Sequence, residues 1–174
     1  MPDSYGEYHF RTLWIRNMLS PDIADFIQQG VAAAVSCCDK DLRPSMARVV
    51  GTRVTSDFSL ITVLVLRNIN TTLLRDAQPG CHLAAVFCLP ENERAIQIKG
   101  RVVAVETPQP DDWPMISAHR IAFADQIEPK GYAREFSDYY HAAEEADLVA
   151  LSFVPEALFE QTPGPQAGQS MGAP

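Results

Sequence analysis

The chain has 174 residues, 47% of them hydrophobic and 21% charged, a make-up that fits one globular domain with a real core and is too short for two. Its formal net charge of −8 argues against broad electrostatic attraction to nucleic acid or acidic membranes. No apolar run approaches the length of a membrane span, and residues 1–16 carry Asp3, Glu7 and His9 with no signal-peptide core, so a cytoplasmic location without membrane or nucleic-acid partners is the expectation.

Along the chain, Ser20-Pro21-Asp22 predicts the start of a short helix. Ser20 can cap it, Pro21 suits its first position and Asp22 favours the positive helix end. Ile23, Phe26 and Ile27 give it an apolar stripe, and Gly30 reads as a left-handed cap at its end. A dense run of strands follows. Residues 31–38 are small and apolar, and Asp39-Lys40-Asp41 reads as a hairpin turn. A second strand is expected over 45–55, where Met46, Val50 and Val54 are separated by Arg48 and Thr52. Ser56-Asp57 turns the chain, and 60–66 is a central strand, nearly all β-branched or aliphatic. A short helix is expected over 71–77, with Asn70 as its cap and Pro79-Gly80 as its stop.

Two more strands are expected, over 82–89 and 94–105, joined by residues 90–93. In the second, Ile96, Ile98 and Val102 alternate with Gln97, Lys99 and Arg101. A side-chain period of two puts one set on a core face and the other on a polar face. That row of an amide and two cations suits a polar, anionic ligand, and a solvated strand face has the same pattern. Five strands, mostly in hairpins around one short helix, predict an antiparallel barrel.

The period then changes. Asp111-Asp112 reads as the cap of a helix over 113–127, with Trp113, Ile116, Phe123 and Ile127 on one buried side. A more polar helix is expected over 134–146 and a final strand over 148–154. The class is α+β, mainly β, as one domain over 1–161. Residues 162–174, rich in Pro and Gly with little to bury, read as a loop or disordered tail. Cys37 and Cys38 are adjacent and Cys81 and Cys88 lie seven apart, so no CxxC metal or redox pattern arises, and reduced, mostly buried thiols are expected.

This order of elements resembles the pyridoxamine 5′-phosphate oxidase-like, flavin-binding split-barrel family over residues 20–106 and the closing strand near 148–161. Three local features carry the resemblance: Arg48-Val49 on the second strand, Thr62 on the third followed by Asn70-Thr71-Thr72 at the helix entry, and Gln97-Ile98-Lys99-Gly100 on the fifth. The stretch Phe159-Glu160-Gln161-Thr162-Pro163-Gly164-Pro165 is similar to a C-terminal signature of some members. The resemblance implies flavin mononucleotide (FMN) in a groove at a homodimer interface. It implies that Arg48, Thr71, Thr72 and Arg75 surround the phosphate, with Asn70 at the helix entry, and that Val49, Thr62 and Gln97 border the ring. The physical case runs alongside. A helix N-terminus offers free donors and partial positive charge, Arg adds charge-assisted bonds, and Gln97 can donate or accept. Members often carry Ser-x-Lys at this entry; Asn70-Thr71-Thr72 has no lysine, leaving Arg75 or Lys99 to replace it.

Each feature has a plainer reading. Thr71-Thr72 suits the first turn of a surface helix, Arg48 an ion pair at a dimer interface, Arg43 and Arg53 the surface. His82, His119 and His141 read as structural. No Ser-His-Asp or Cys-His set can be assembled, and no Walker or GxGxxG loop is present. Three functions stay open: a homodimeric FMN-dependent oxidoreductase acting on an unidentified small-molecule substrate, a non-catalytic split-barrel protein holding flavin, haem or another ligand, and a structural dimer.

Overall fold

A computed structural model describes residues 18–171. Helix α1 spans Pro21–Ile27, and the Ser20 side chain accepts a hydrogen bond from the Ile23 amide at 3.3 Å, as the sequence predicts. Gly30 is not a left-handed cap. It marks a close approach instead: a Cβ there would lie 2.3 Å from the backbone of Ala122 and Phe123, so only glycine admits the long helix described below.

Strands β1 (Ala32–Cys38) and β2 (Pro44–Val49) form a hairpin. Its turn is tied by Asp39, whose carboxylate accepts from the amides of Asp41 and Arg43 at 2.8 and 2.9 Å. The strand expected over 45–55 is two strands. Val50 breaks it, and β3 spans Gly51–Val54. At Val50, fully buried, the amide donates to the Leu64 carbonyl at 2.9 Å, so the chain leaves β1 and joins β4 (Ile61–Leu66). Helix α2 (Thr71–Asp76), β5 (His82–Cys88) and β6 (Ala95–Glu106) follow.

Helix α3 covers Asp112–Ile127 and α4 covers Arg134–Tyr140. The second helix is shorter than expected. It stops at His141, which is buried, and residues 145–147 form a separate 3-10 turn. Strand β7 runs Leu148–Glu160, past its expected end. Pro155 is accommodated because its partner Gly100 sits at a register shift in the β6–β7 ladder, where no amide is required of it. The described part of the tail turns back: Gly168 donates to the Glu160 carbonyl at 2.7 Å, and Met171 to that of Leu158 at 2.9 Å.

All pairings are antiparallel, in the order β2-β1-β5-β6-β7-β4-β3. The two edge strands of that order are joined through Val50 alone. A flat sheet cannot satisfy this; the sheet must curl until its edges meet. The inside of the curl holds the main core, including Val35, Val49, Val63, Phe87, Ile98, Leu151 and Phe153. A second, smaller cluster lies on the outside, where Ile116 of α3 packs with Val50, Leu64, Leu66, Leu148 and Ala150.

Four side chains differ from expectation here. Trp113 is 36% exposed, whereas Ile116, Phe123 and Ile127 are buried. Asp111 makes no capping bond. Asp112 does the work of fixing the helix start: 1% exposed, it accepts from Arg53 Nε at 2.8 Å and from the Gln109 amide at 2.7 Å. Arg53 is therefore an anchor rather than a free surface residue. The expectation of mostly buried thiols is not met: of the four free cysteines Cys37 alone is buried, Cys38 is exposed and Cys81 and Cys88 are half-buried. Burial raises the thiol pKa of Cys37, Cys81 and Cys88, which keeps them protonated at neutral pH. Among the described residues no helix is long and apolar enough to cross a membrane.

Candidate functional site

The strand register brings two predicted residues into one row. Arg48 pairs with Ala34, Ala34 with Val86, Val86 with Gln97 and Gln97 with Phe159. Alternation places all of them on the outer face of the sheet, opposite the core. The adjacent row on that face is Met46, Ser36, Ala84, Lys99 and Ala157 by the same register. Ala34, Ser36, Ala84 and Val86 are only half-buried, and Met46 is 72% exposed. These small side chains make a flat floor with Arg48 at one end, Gln97 and Lys99 at the other, and a shallow groove of about 50 Å³ between. Lys99 Nζ lies 4.7 Å from the centre of the Phe159 ring.

Arg48 is held rather than free. Its guanidinium carbon sits 4.3 Å over the Tyr140 ring, a cation–π contact. Its Nε is buried and has no hydrogen-bond partner among the described residues. Tyr140 stacks on Phe123 at 5.5 Å and on Phe136 at 5.6 Å. His141 meets Phe123, Tyr140 and His119 edge-on at 4.7, 4.9 and 5.0 Å. Ser137 Oγ donates to the Arg120 carbonyl at 2.6 Å and ties α4 to α3. Burial, followed by the neighbouring His119, holds the His141 pKa at about 4, and burial lowers that of His119. Both imidazoles are buried and neutral at pH 7, so the Arg48 environment carries no added imidazolium charge.

The other predicted residues do not join this floor. Val49 is 1% exposed inside the curl, because odd and even positions of β2 point to opposite faces; it cannot border a ring lying on the outer one. Thr62 is buried beside Ser152, their hydroxyls 2.8 Å apart, on the face that carries Leu64 and Leu66. Asn70 does not cap α2; its side-chain amide donates to the Leu66 carbonyl at 2.7 Å. Thr71 and Thr72 are exposed on the first turn of α2. Arg75 forms a two-point pair with Asp76, at 2.7 and 3.1 Å. That pairing lowers the Asp76 pKa and compensates the only cation of the helix.

Sequence reasoning missed the role of Tyr140. The signal was present, since Tyr132, Phe136 and Tyr140 recur every fourth residue and make an aromatic stripe. It also missed a polar group beyond Lys99: Arg101 Nε lies 3.1 Å and His82 Nδ1 3.6 Å from the Glu156 carboxylate. His82 and Arg101 are register partners, and only the fold brings Glu156 to them.

No protein-family model and no curated protein sequence matches the chain. Solved structures do. HupZ of Group A Streptococcus is similar at 14% identity, over 87% of this chain and 100% of that one, with a TM-score of 0.51. An F420 reductase is similar at 12% identity, over 80% of this chain and 98% of that one, with a TM-score of 0.50. A pyridoxamine 5′-phosphate oxidase-related, FMN-binding protein from Nostoc punctiforme aligns at 11% identity over 95% of this chain and 87% of its own, with a TM-score of 0.42. The curled seven-stranded sheet, its edges joined through one residue, is a split barrel, the fold this chain shares with HupZ and the F420 reductase.

Proposed function

We propose that the chain is an FMN-binding flavoprotein and a homodimeric oxidoreductase, with the cofactor on the outer face of β1, β2, β5 and β6. The observation that carries this reading is the row Arg48–Ala34–Val86–Gln97. At about 4.8 Å per strand its ends lie roughly 14 Å apart, far enough to separate a phosphate from a planar ring system. Arg48 is suited to the anionic end, since its buried Nε lacks a partner among the described residues and a guanidinium holds phosphate oxygens in pairs. Gln97 is suited to the polar edge of the ring, with Lys99 beside it. The small side chains of Ala34, Ser36, Ala84 and Val86 leave room for a ring to lie flat. FMN, when bound, supplies reversible electron transfer, and the protein supplies its orientation.

The groove argues for a second copy. About 50 Å³ is well short of the roughly 300–1,000 Å³ of ligand pockets. One chain offers a floor, and a partner laid against it would supply the roof that excludes water.

A binding role without catalysis is the second reading, for flavin, haem or another ligand. It is favoured by the Arg75–Asp76 pair, which leaves α2 without an uncompensated cation at the entry where lysine is usual in the family. Thr71 and Thr72 add only hydroxyls there.

The test is titration with FMN followed by flavin fluorescence, alongside sedimentation of the protein. The reading predicts one FMN per chain and a dimer. Oxidation of a reduced nicotinamide by the loaded protein selects the oxidoreductase; tight binding without turnover selects the second reading. A monomer that ignores FMN contradicts the first reading, and one that ignores haem as well contradicts the second.

A further inference from the structure

A cleft of about 350 Å³ opens at the far end of β6 from Gln97. It falls in the volume range of small-molecule sites and is separate from the groove on the outer face. Three segments distant in sequence converge on it: Arg67 after β4, the loop 107–110 with Trp113 after β6, and Glu145 before β7.

Its walls are fixed in advance. Asp147 accepts from the Arg67 amide through its carbonyl at 2.8 Å and from the Asn68 amide through its carboxylate at 2.9 Å. The opposite wall is tied by Asp112, through the Gln109 amide at 2.7 Å and Arg53 at 2.8 Å. Pro108 and Pro110 lock their own φ angles. Rigid walls reduce the ordering cost of binding. The groups they present are complementary. Trp113, on the first turn of α3, lines the cleft and is 36% exposed. The Arg67 guanidinium makes no ion pair or hydrogen bond among the described residues.

We infer that this cleft binds a small, planar aromatic carboxylate that also carries an N–H donor. The Trp113 indole and the two proline rings accept a flat apolar body. Arg67 offers two parallel N–H donors to a carboxylate. Glu145 is the counterweight: its carboxylate can accept from the N–H group, and it repels a dianion, so a monoanionic carboxylate is favoured over a phosphate ester. This site does not depend on the flavin reading.

The experiment is calorimetric titration of the full chain with 2-aminobenzoate, which has the ring, the carboxylate and the N–H donors. The expected result is saturable binding at one site per chain. Arg67→Gln should weaken it about tenfold or more, and Trp113→Leu should weaken it as well, with circular dichroism showing both variants folded. Aniline, which lacks the carboxylate, should bind weakly and equally to wild type and Arg67→Gln. Absence of saturation up to about 10 mM, equal affinity of 2-aminobenzoate for wild type and Arg67→Gln, or competition by FMN would each overturn the assignment.

Discussion

Acid should weaken this fold through His141 before it reaches the carboxylates. The imidazole is 1% exposed, and its pKa falls from the ordinary 6.5 to about 4. Burial is the first cause and His119 the second; Arg48 on β2 and Arg120 on α3 push the same way. Asp138 on α4 faces outward and pairs with Arg120 at 3.2 Å. The unfolded chain therefore takes up a proton near pH 6.5, while native His141 stays neutral until about pH 4. Stability from this group is complete well above pH 6.5 and is lost as pH falls toward 4. The full window is worth about 3 kcal/mol, about 2 kcal/mol of it between pH 7 and pH 5. That is a sizeable share of the ~5–15 kcal/mol that holds a domain together. Asp76 and Glu160, whose pKa values are lowered, lose their contributions only further down. The assay is urea unfolding at pH 7, 6 and 5, followed by circular dichroism. His141→Phe keeps a ring against Phe123, Tyr140 and His119 and removes the proton site. It should cut the pH 7 to 5 difference by half or more, the remainder coming from His119. If His141→Phe keeps the whole wild-type difference, the reasoning is wrong.

Gly30→Ala should destabilise the protein by about 2 kcal/mol or more, since the new Cβ meets the backbone of Ala122 and Phe123 and α3 must shift; urea midpoints measure it. Thr62→Val strands the Ser152 hydroxyl 2.8 Å away and should cost about 1–3 kcal/mol, while Thr62→Val with Ser152→Ala should recover most of the loss; a double mutant no better than the single refutes the pairing. Arg48→Ala should lower FMN affinity at least about tenfold with circular dichroism unchanged. Arg75→Ala should alter FMN affinity by less than about twofold, because Asp76 already compensates that cation.

Much of the fold was legible from local pattern. Alternation in residues 94–105 gave β6 and its two faces, and Ser20-Pro21 gave the start of α1. What escaped was set by distant contacts. Nothing near Val50 announces that the chain will change partners there; the cause is the Leu64 carbonyl, fourteen residues on. Gly30 looked like a helix cap because glycine often is one, and its reason lies in α3, about ninety residues away. For the candidate site, Arg48 and Gln97 do share a face, since a two-residue period is reliable within a strand. Val49 was misplaced by the same period, being one residue from Arg48. Arg75 looked available until its neighbour Asp76 turned toward it, and Trp113 looked like core because the helical period said nothing of the cleft beside it.

The central claim is that the outer face between Arg48 and Gln97 is a flavin platform. Its most direct test is the visible absorption spectrum of the purified protein, as isolated and after incubation with FMN and removal of the excess, with any released cofactor identified by mass. The account predicts flavin bands and FMN in the released fraction, with both lost in Arg48→Ala. A protein that stays colourless after incubation, or one that shows a haem Soret band and no flavin, would contradict it.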